Sequence, residues 1–212
     1  HLVGKGHLSH AVFQLVVPVA VPSRGVPDVG GWTQEPRFER LDPLAGTTSL
    51  LLTTATAPSK AIMNVIAAVQ QCRSKLKQIA GIHVEGPFIS KNRAGAQRAE
   101  FIRDPEPHLI DELLAFADII KIVTLAPELP GALALIDRLR MHKIIASGGH
   151  SDASDLEARA GFESGMGNVT HTFNAMSSAQ DAICGTRSLI HLPQLPRGFH
   201  SHGLFITAPG EL

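Results

Sequence analysis

The sequence predicts an α/β fold built from parallel βαβ units, and three observations carry that reading. From about residue 46, short β-branched or apolar runs alternate with longer stretches of helical period. Gly, Pro or capping residues punctuate almost every junction between them. Glu85, Glu128, His150 and His171 each fall at or just past the carboxyl end of a predicted strand. Both (β/α)8 barrels and doubly wound open sheets place their chemistry there, so periodicity alone leaves the two architectures open.

The elements follow in order. Residues 1–45 are rich in Pro and Gly and hold no sustained period; the apolar run 11–22 reads as a β-strand or an irregular buried segment. Its two prolines and the lack of a clearly basic start argue against a signal-peptide core. GTTSLLLTTAT (46–56) reads as a buried strand, and Ser59 as the N-cap of a helix through 61–77. QIAGIHVEG (78–86) is the next strand, followed by a Gly- and Arg-containing loop (90–99) and a short helix near 107–117. IIKIVTLAP (119–127) is a strand, and 129–143 a helix with Pro130 near its first turn. IIASGGH (144–150) is a strand. Residues 151–165 form a helix opened by Ser and Asp caps, with Leu156, Ala160 and Phe162 roughly a turn apart, and MGNVTHTF (166–173) is a last short strand. The alternation stops after Met176, so the chain divides into 1–45, a βα region 46–176 and a tail 177–212 of different texture.

Composition sets outer bounds. With 212 residues, 44% apolar and 18% charged, the chain has ordinary globular usage. Nineteen basic and nineteen acidic residues cancel, which provides no field for nucleic acid or anionic membrane. Tyr is absent and Trp32 stands alone, so base-stacking platforms are not expected. No run approaches the roughly 18 apolar residues of a membrane-spanning helix. Cys72 and Cys184 make no disulfide framework, which fits a reduced, cytoplasmic setting. Eleven histidines are many for this length and hint at metal chemistry.

Three residues stand out for chemistry. Glu85 follows the apolar run IHV and precedes Gly86-Pro87. A carboxylate buried there needs a partner or a cation; the plain alternative is a loop Glu facing solvent. His150 ends a strand behind two glycines, which allow close backbone approach, or it caps the next helix. His171 lies within VTHTF, where a satisfied core histidine is the ordinary reading. Together, one carboxylate and two imidazoles on successive strand ends form a set that Zn²⁺ or Fe²⁺ accepts with positions left open.

HVEGPFIS, the Gly95-Ala96 pair, VTLAPE, GHSDA and THTFNAM occur here in that order, and over about residues 45–176 the sequence closely resembles the N-acetylglucosamine-6-phosphate deacetylases. The resemblance implies a TIM-type (β/α)8 barrel of the metal-dependent amidohydrolase kind, incomplete on its C-terminal side. It implies Glu85, His150 and His171 as ligands of one divalent metal, Zn²⁺ or else Fe²⁺, and Ala96, Asn174 and Ala175 as contacts to an amino-sugar phosphate. It further implies a cytoplasmic homo-oligomer that hydrolyses the acetamide of N-acetylglucosamine 6-phosphate to glucosamine 6-phosphate and acetate. In that chemistry the cation polarises the carbonyl and acidifies water, while a carboxylate moves the proton.

Several expected parts do not match. The usual first-strand His pair is replaced by RGVPDVGGWTQEP (24–36), with Asp28 and Gln34 as possible remnants. The family's catalytic Asp lies farther past the second His ligand than the 41 residues that follow His171 here, so the catalytic residue is not assigned. A phosphate-binding Arg is expected where Ala182 stands, with Arg187 nearest; Lys91, Arg93 and Arg98 read as solvated loop cations before phosphate ligands, and His200 and His202 as loop residues. Two rival readings therefore stay in view: a truncated, catalytically silent relative that binds metal or sugar phosphate, and an amidohydrolase acting on another amide. An opened barrel would leave apolar strand edges that favour marginal stability or association.

Overall fold

The computed structural model describes residues 12–16, 49–170, 174–177 and 206–207, the first and last of these stretches by backbone alone. Trp32, Asp28, Gln34, His171, Ala182, Cys184, Arg187, His200 and His202, each singled out from the sequence, lie outside the described residues.

Seven strands form one sheet in consecutive order: β1 (Val12–Val16), β2 (Ser49–Thr54), β3 (Ile79–Glu85), β4 (Ile120–Leu125), β5 (Ile145–Gly148), β6 (Asn168–Val169) and β7 (Ile206–Thr207). The first six run parallel, and β7 pairs antiparallel to β6. Helices α1 (Ser59–Arg73), α2 (Pro107–Leu114), α3 (Ala132–Met141) and α4 (Asp155–Glu163) fill the crossovers from β2 to β6. The predicted parallel α/β sheet is present, and nowhere among the described strands does the order reverse as it does in a doubly wound sheet.

Period-2 alternation separates the two faces. Leu50, Leu52, Ile82, Val84, Val123, Leu125 and Ala146 pack with the helices in one apolar core. The helices answer with residues one turn apart: Ile62, Ile66 and Val69 on α1; Ile110, Leu113 and Leu114 on α2; Leu135, Ile136 and Leu139 on α3. Each such aliphatic side chain contributes about 1.5–3 kcal/mol when fully buried. The other face carries the polar residues Thr53, His83, Glu85, Thr124 and Ser147, all buried. They cross-link the strands. His83 Nε2 lies 2.6 Å from Thr124 Oγ1, which is 2.7 Å from Thr170 Oγ1, in turn 2.8 Å from Ser147 Oγ; Thr53 Oγ1 is 3.3 Å from His83 Nδ1.

Four local expectations are corrected. Pro58, not Ser59, caps α1, its carbonyl accepting from the amides of Ala61 and Ile62, so Ser59 is the first helical residue. Pro130 lies before α3 rather than in its first turn, because Gly131 at φ 84° makes a left-handed break and becomes the N-cap. Leu156 does not face the core and is 75% exposed; α4 buries Ala158 and Gly161 instead. At Gly161 a Cβ would stand 2.8 Å from Pro127 Cβ, so α4 approaches the end of β4 more closely than a side chain allows. The helix expected over 151–165 begins later, at Asp155, where Ser154 is the N-cap in a capping box with Glu157. No helix among the described residues is long and apolar enough to cross a membrane.

Candidate metal centre

The carboxyl ends of β3 and β5 bring Glu85 and His150 together. Glu85 is the last residue of β3, and His150 follows β5 by two residues at φ 49°, a left-handed conformation that costs a non-glycine residue energy and is held by its surroundings. Both side chains are 6% exposed, and Glu85 Oε1 lies 2.8 Å from His150 Nε2. The other ring nitrogen is committed: His150 Nδ1–H donates to the Arg93 carbonyl at 2.9 Å. Gln97 Nε2–H donates to Glu85 Oε1 at 3.0 Å, while Gln97 Oε1 accepts from the Thr56 amide at 2.7 Å.

That arrangement is a test of the donor set. A carbonyl only accepts, so Nδ1 carries a hydrogen, and Nε2 then faces a second acceptor in Glu85. Two acceptors at 2.8 Å in a buried site call for a proton or a cation between them. A proton held by either partner or a divalent cation satisfies the need, and carboxylate oxygen with imidazole nitrogen is a ligand pair suited to Zn²⁺ or Fe²⁺. Among the described residues no group of three or more His, Cys, Asp or Glu side chains is gathered as a metal cage, and His171, the third predicted ligand, lies outside them.

Residues 174–177 and Gly95 approach the loop at His150. Ser151 N–H donates to the Ala175 carbonyl and Ser177 N–H to the Ser151 carbonyl, which stitches 174–177 to the residue after His150. Gly95 packs against the same place: a Cβ there would stand 3.4 Å from His150 Cε1 and 3.7 Å from Ala175 Cβ. Ala96 and Asn174 are exposed, Ala175 is half-buried, and Asn174 Oδ1 accepts from the Ala175 amide at 3.0 Å. Ala96 is the residue after Gly95.

The other strand-end groups serve the loop that follows His150. Glu128 accepts from Ser151 Oγ at 2.7 Å and from the Asp152 amide at 2.6 Å. Burial pushes its carboxyl above the ordinary carboxylate value, against the lowering effect of those bonds. Arg93 is neither a solvated cation nor a free phosphate ligand, since it pairs with Asp152 at 2.6 Å. Arg98 pairs with Glu100 and stacks over Phe101, and Lys91 is exposed.

Comparison with known proteins shows what this chain is similar to. The chain is 37% identical over 195 residues to N-acetylglucosamine-6-phosphate deacetylase of Bacillus subtilis, covering 82% of this chain and 49% of that protein. The structure of N-acetylglucosamine-6-phosphate deacetylase from Pasteurella multocida superposes with a TM-score of 0.65 and 33% identity over 68% of this chain and 38% of the other. The chain is homologous to N-acetylglucosamine-6-phosphate deacetylases. A mutant of the Mycobacterium smegmatis deacetylase, solved in complex with N-acetyl-D-glucosamine-6-phosphate, matches with a TM-score of 0.63 and 34% identity over 67% of this chain and 37% of the other. The chain spans half or less of the length of these deacetylases. No family model matches it.

Sequence reasoning missed Gln97, Asp152 and the interior His83. Gln97 directly follows Gly95-Ala96 and Asp152 lies inside GHSDA, but nothing in a linear sequence says which oxygen a side-chain amide will meet. His83 has a readable signal: two residues before Glu85, it shares that residue's face of the strand.

Proposed function

We propose that this chain carries the metal site of a hydrolase that removes the acetyl group of N-acetylglucosamine 6-phosphate, yielding glucosamine 6-phosphate and acetate. The observation that supports it most is the buried Glu85–His150 pair, 2.8 Å apart, with the second ring nitrogen of His150 already spent on a backbone carbonyl. Glu85 and His150, joined by His171, are the residues that would hold one divalent cation, Zn²⁺ before Fe²⁺. When bound, such a cation supplies Lewis-acid polarisation of the acetamide and activation of water.

The chain's own residues do the rest. Gln97 fixes the plane of the Glu85 carboxylate through one amide hydrogen. The Arg93 carbonyl fixes the His150 ring. Ala96, Asn174 and Ala175 would contact the sugar phosphate, Ala96 and Asn174 from exposed positions and Ala175 from a half-buried one whose amide and carbonyl are already held by Asn174 and Ser151. The sheet is read as part of a (β/α)8 barrel: its strands are consecutive, its helices cover one face, and its buried polar residues occupy the other.

The test is acetate release from N-acetylglucosamine 6-phosphate by the purified chain with Zn²⁺ added, against Glu85→Gln. Release above background that falls about a hundred-fold or more in Glu85→Gln supports the reading. A second reading, binding of metal and sugar phosphate without turnover, is favoured by one observation. Near the pair, the carboxylates of Glu128 and Asp152 are both held by donors, and neither is offered to a substrate. Saturable binding of Zn²⁺ and of the sugar phosphate with no acetate release would establish that second reading over the first.

A further inference from the structure

His150 sits in a closed circuit of hydrogen bonds. Its ring donates from Nδ1 to the carbonyl of Arg93, and its own carbonyl accepts from the Ser90 amide at 2.8 Å. The Arg93 side chain reaches back: Nε at 2.7 Å and Nη2 at 2.6 Å both donate to Asp152 Oδ1. Asn92 Nδ2 donates to the other oxygen of that carboxylate at 3.1 Å. From Asp152 the chain returns to His150 in two residues. Glu128 holds the outer side of this short link through Ser151 Oγ and the Asp152 amide.

The circuit matters because of what the Arg93 carbonyl does. Residues Lys91–Arg93 form a single isolated 3-10 turn with Lys91 and Asn92 exposed, and the turn buries no residue. A turn of that kind has little packing to fix the direction of its last carbonyl. Three bonds from two of its side chains to Asp152 do fix it. The carbonyl accepts only, so its position decides which ring nitrogen of His150 carries hydrogen and which keeps its lone pair for the centre.

We propose that Arg93 and Asp152 are positioning residues for His150: their ion pair sets the carbonyl that commits His150 to the Nδ1–H tautomer and turns Nε2 toward Glu85. The inference rests on the reading of His150 as a metal ligand. Neither side chain is among the residues read as metal ligands or substrate contacts. Partners of this kind typically change metal affinity by about 10–100-fold. The pair is about one-third exposed on each side, so its effect is expected at the low end of that range.

The experiment uses the full chain and Zn²⁺ itself. Affinity is measured by competition with a chelating dye for wild type, Arg93→Ala, Asp152→Ala, Arg93→Lys, Asp152→Asn and His150→Ala. Long-range ¹H–¹⁵N spectra of the metal-free proteins report the His150 tautomer, assigned by its loss in His150→Ala. Arg93→Ala and Asp152→Ala are expected to weaken Zn²⁺ binding by about ten-fold and to mix the tautomers, with Arg93→Lys recovering most of both. Asp152→Asn keeps the size of the side chain and the amide bond to Glu128, and serves where the alanine variants do not fold. Wild-type affinity and an unmixed Nδ1–H tautomer in every Arg93 and Asp152 variant, with binding lost in His150→Ala, would overturn the positioning role while the metal reading stands. Wild-type affinity in His150→Ala would overturn both.

Discussion

Replacing Gln97 with Leu removes one side chain that serves two buried groups at once. Gln97 Oε1 is the acceptor for the Thr56 amide at 2.7 Å, and Thr56 is 3% exposed. Leaving that amide without an acceptor costs about 1–3 kcal/mol. Gln97 Nε2 is also a donor to the Glu85 carboxylate at 3.0 Å, and hydrogen bonds to charged groups are worth about 1.5–3 kcal/mol. Glu85 keeps its contact with His150 and Gln97 is itself half-buried, so both values are taken near their lower ends. The sum is about 3 kcal/mol, or a fall in Tm of roughly 6–12 °C for a domain of this size. Urea unfolding of wild type and Gln97→Leu followed by circular dichroism reads the difference directly. Gln97→Glu separates the two halves: it keeps an acceptor for Thr56 and sets a second carboxylate against Glu85, so at neutral pH it is expected to be destabilised as well, and less so as pH falls. A Gln97→Leu chain within about 0.5 kcal/mol of wild type would refute the claim that this amide organises the site.

Three further outcomes follow from the same structure. Thr54 is buried on the helix-facing side of β2 with its Oγ1 unpartnered among the described residues, so Thr54→Val is expected to stabilise the chain by about 1 kcal/mol in urea unfolding; a loss of stability would contradict it. Gly161→Ala is expected to cost about 1–3 kcal/mol, more than the helix propensity it gains, because its Cβ would meet Pro127 at 2.8 Å; a neutral or stabilising result would show that α4 can shift. Glu128 has a carboxyl raised above its ordinary value of 4.5. A raised acid binds its proton more readily when folded, so its contribution is fully present below the unfolded value and is lost as pH rises through the folded one. Wild type is therefore expected to lose stability relative to Glu128→Gln as pH rises above about 4.5, and parallel pH profiles would contradict the assignment.

Much of the framework is legible in the sequence because each signal is local. The runs SLLLTT, IAGIHVE and IKIVTL became β2, β3 and β4 within a few residues of their predicted bounds. Glu85 and His150 stood out because buried strand-end polar groups need partners, and each became a partner of the other. What was illegible depends on tertiary approach. Leu156 fits a helical apolar stripe, yet the close contact of Gly161 with Pro127 turns another face of α4 inward. Arg93 reads as one more loop cation until Asp152, fifty-nine residues away, is folded against it. The N-cap of α1 fell on Pro58 with no side-chain cap bond, because Ser59 already has helical backbone and so cannot turn its hydroxyl to the first-turn amides from outside the helix.

The central claim is that Glu85 and His150 hold a divalent cation. It is tested most directly by titrating Zn²⁺ calorimetrically into the metal-free chain, its Glu85→Gln variant and its His150→Ala variant. The account predicts one Zn²⁺ per wild-type chain, with affinity lowered by about a hundred-fold or more in each variant. Equal stoichiometry and affinity in all three would contradict it.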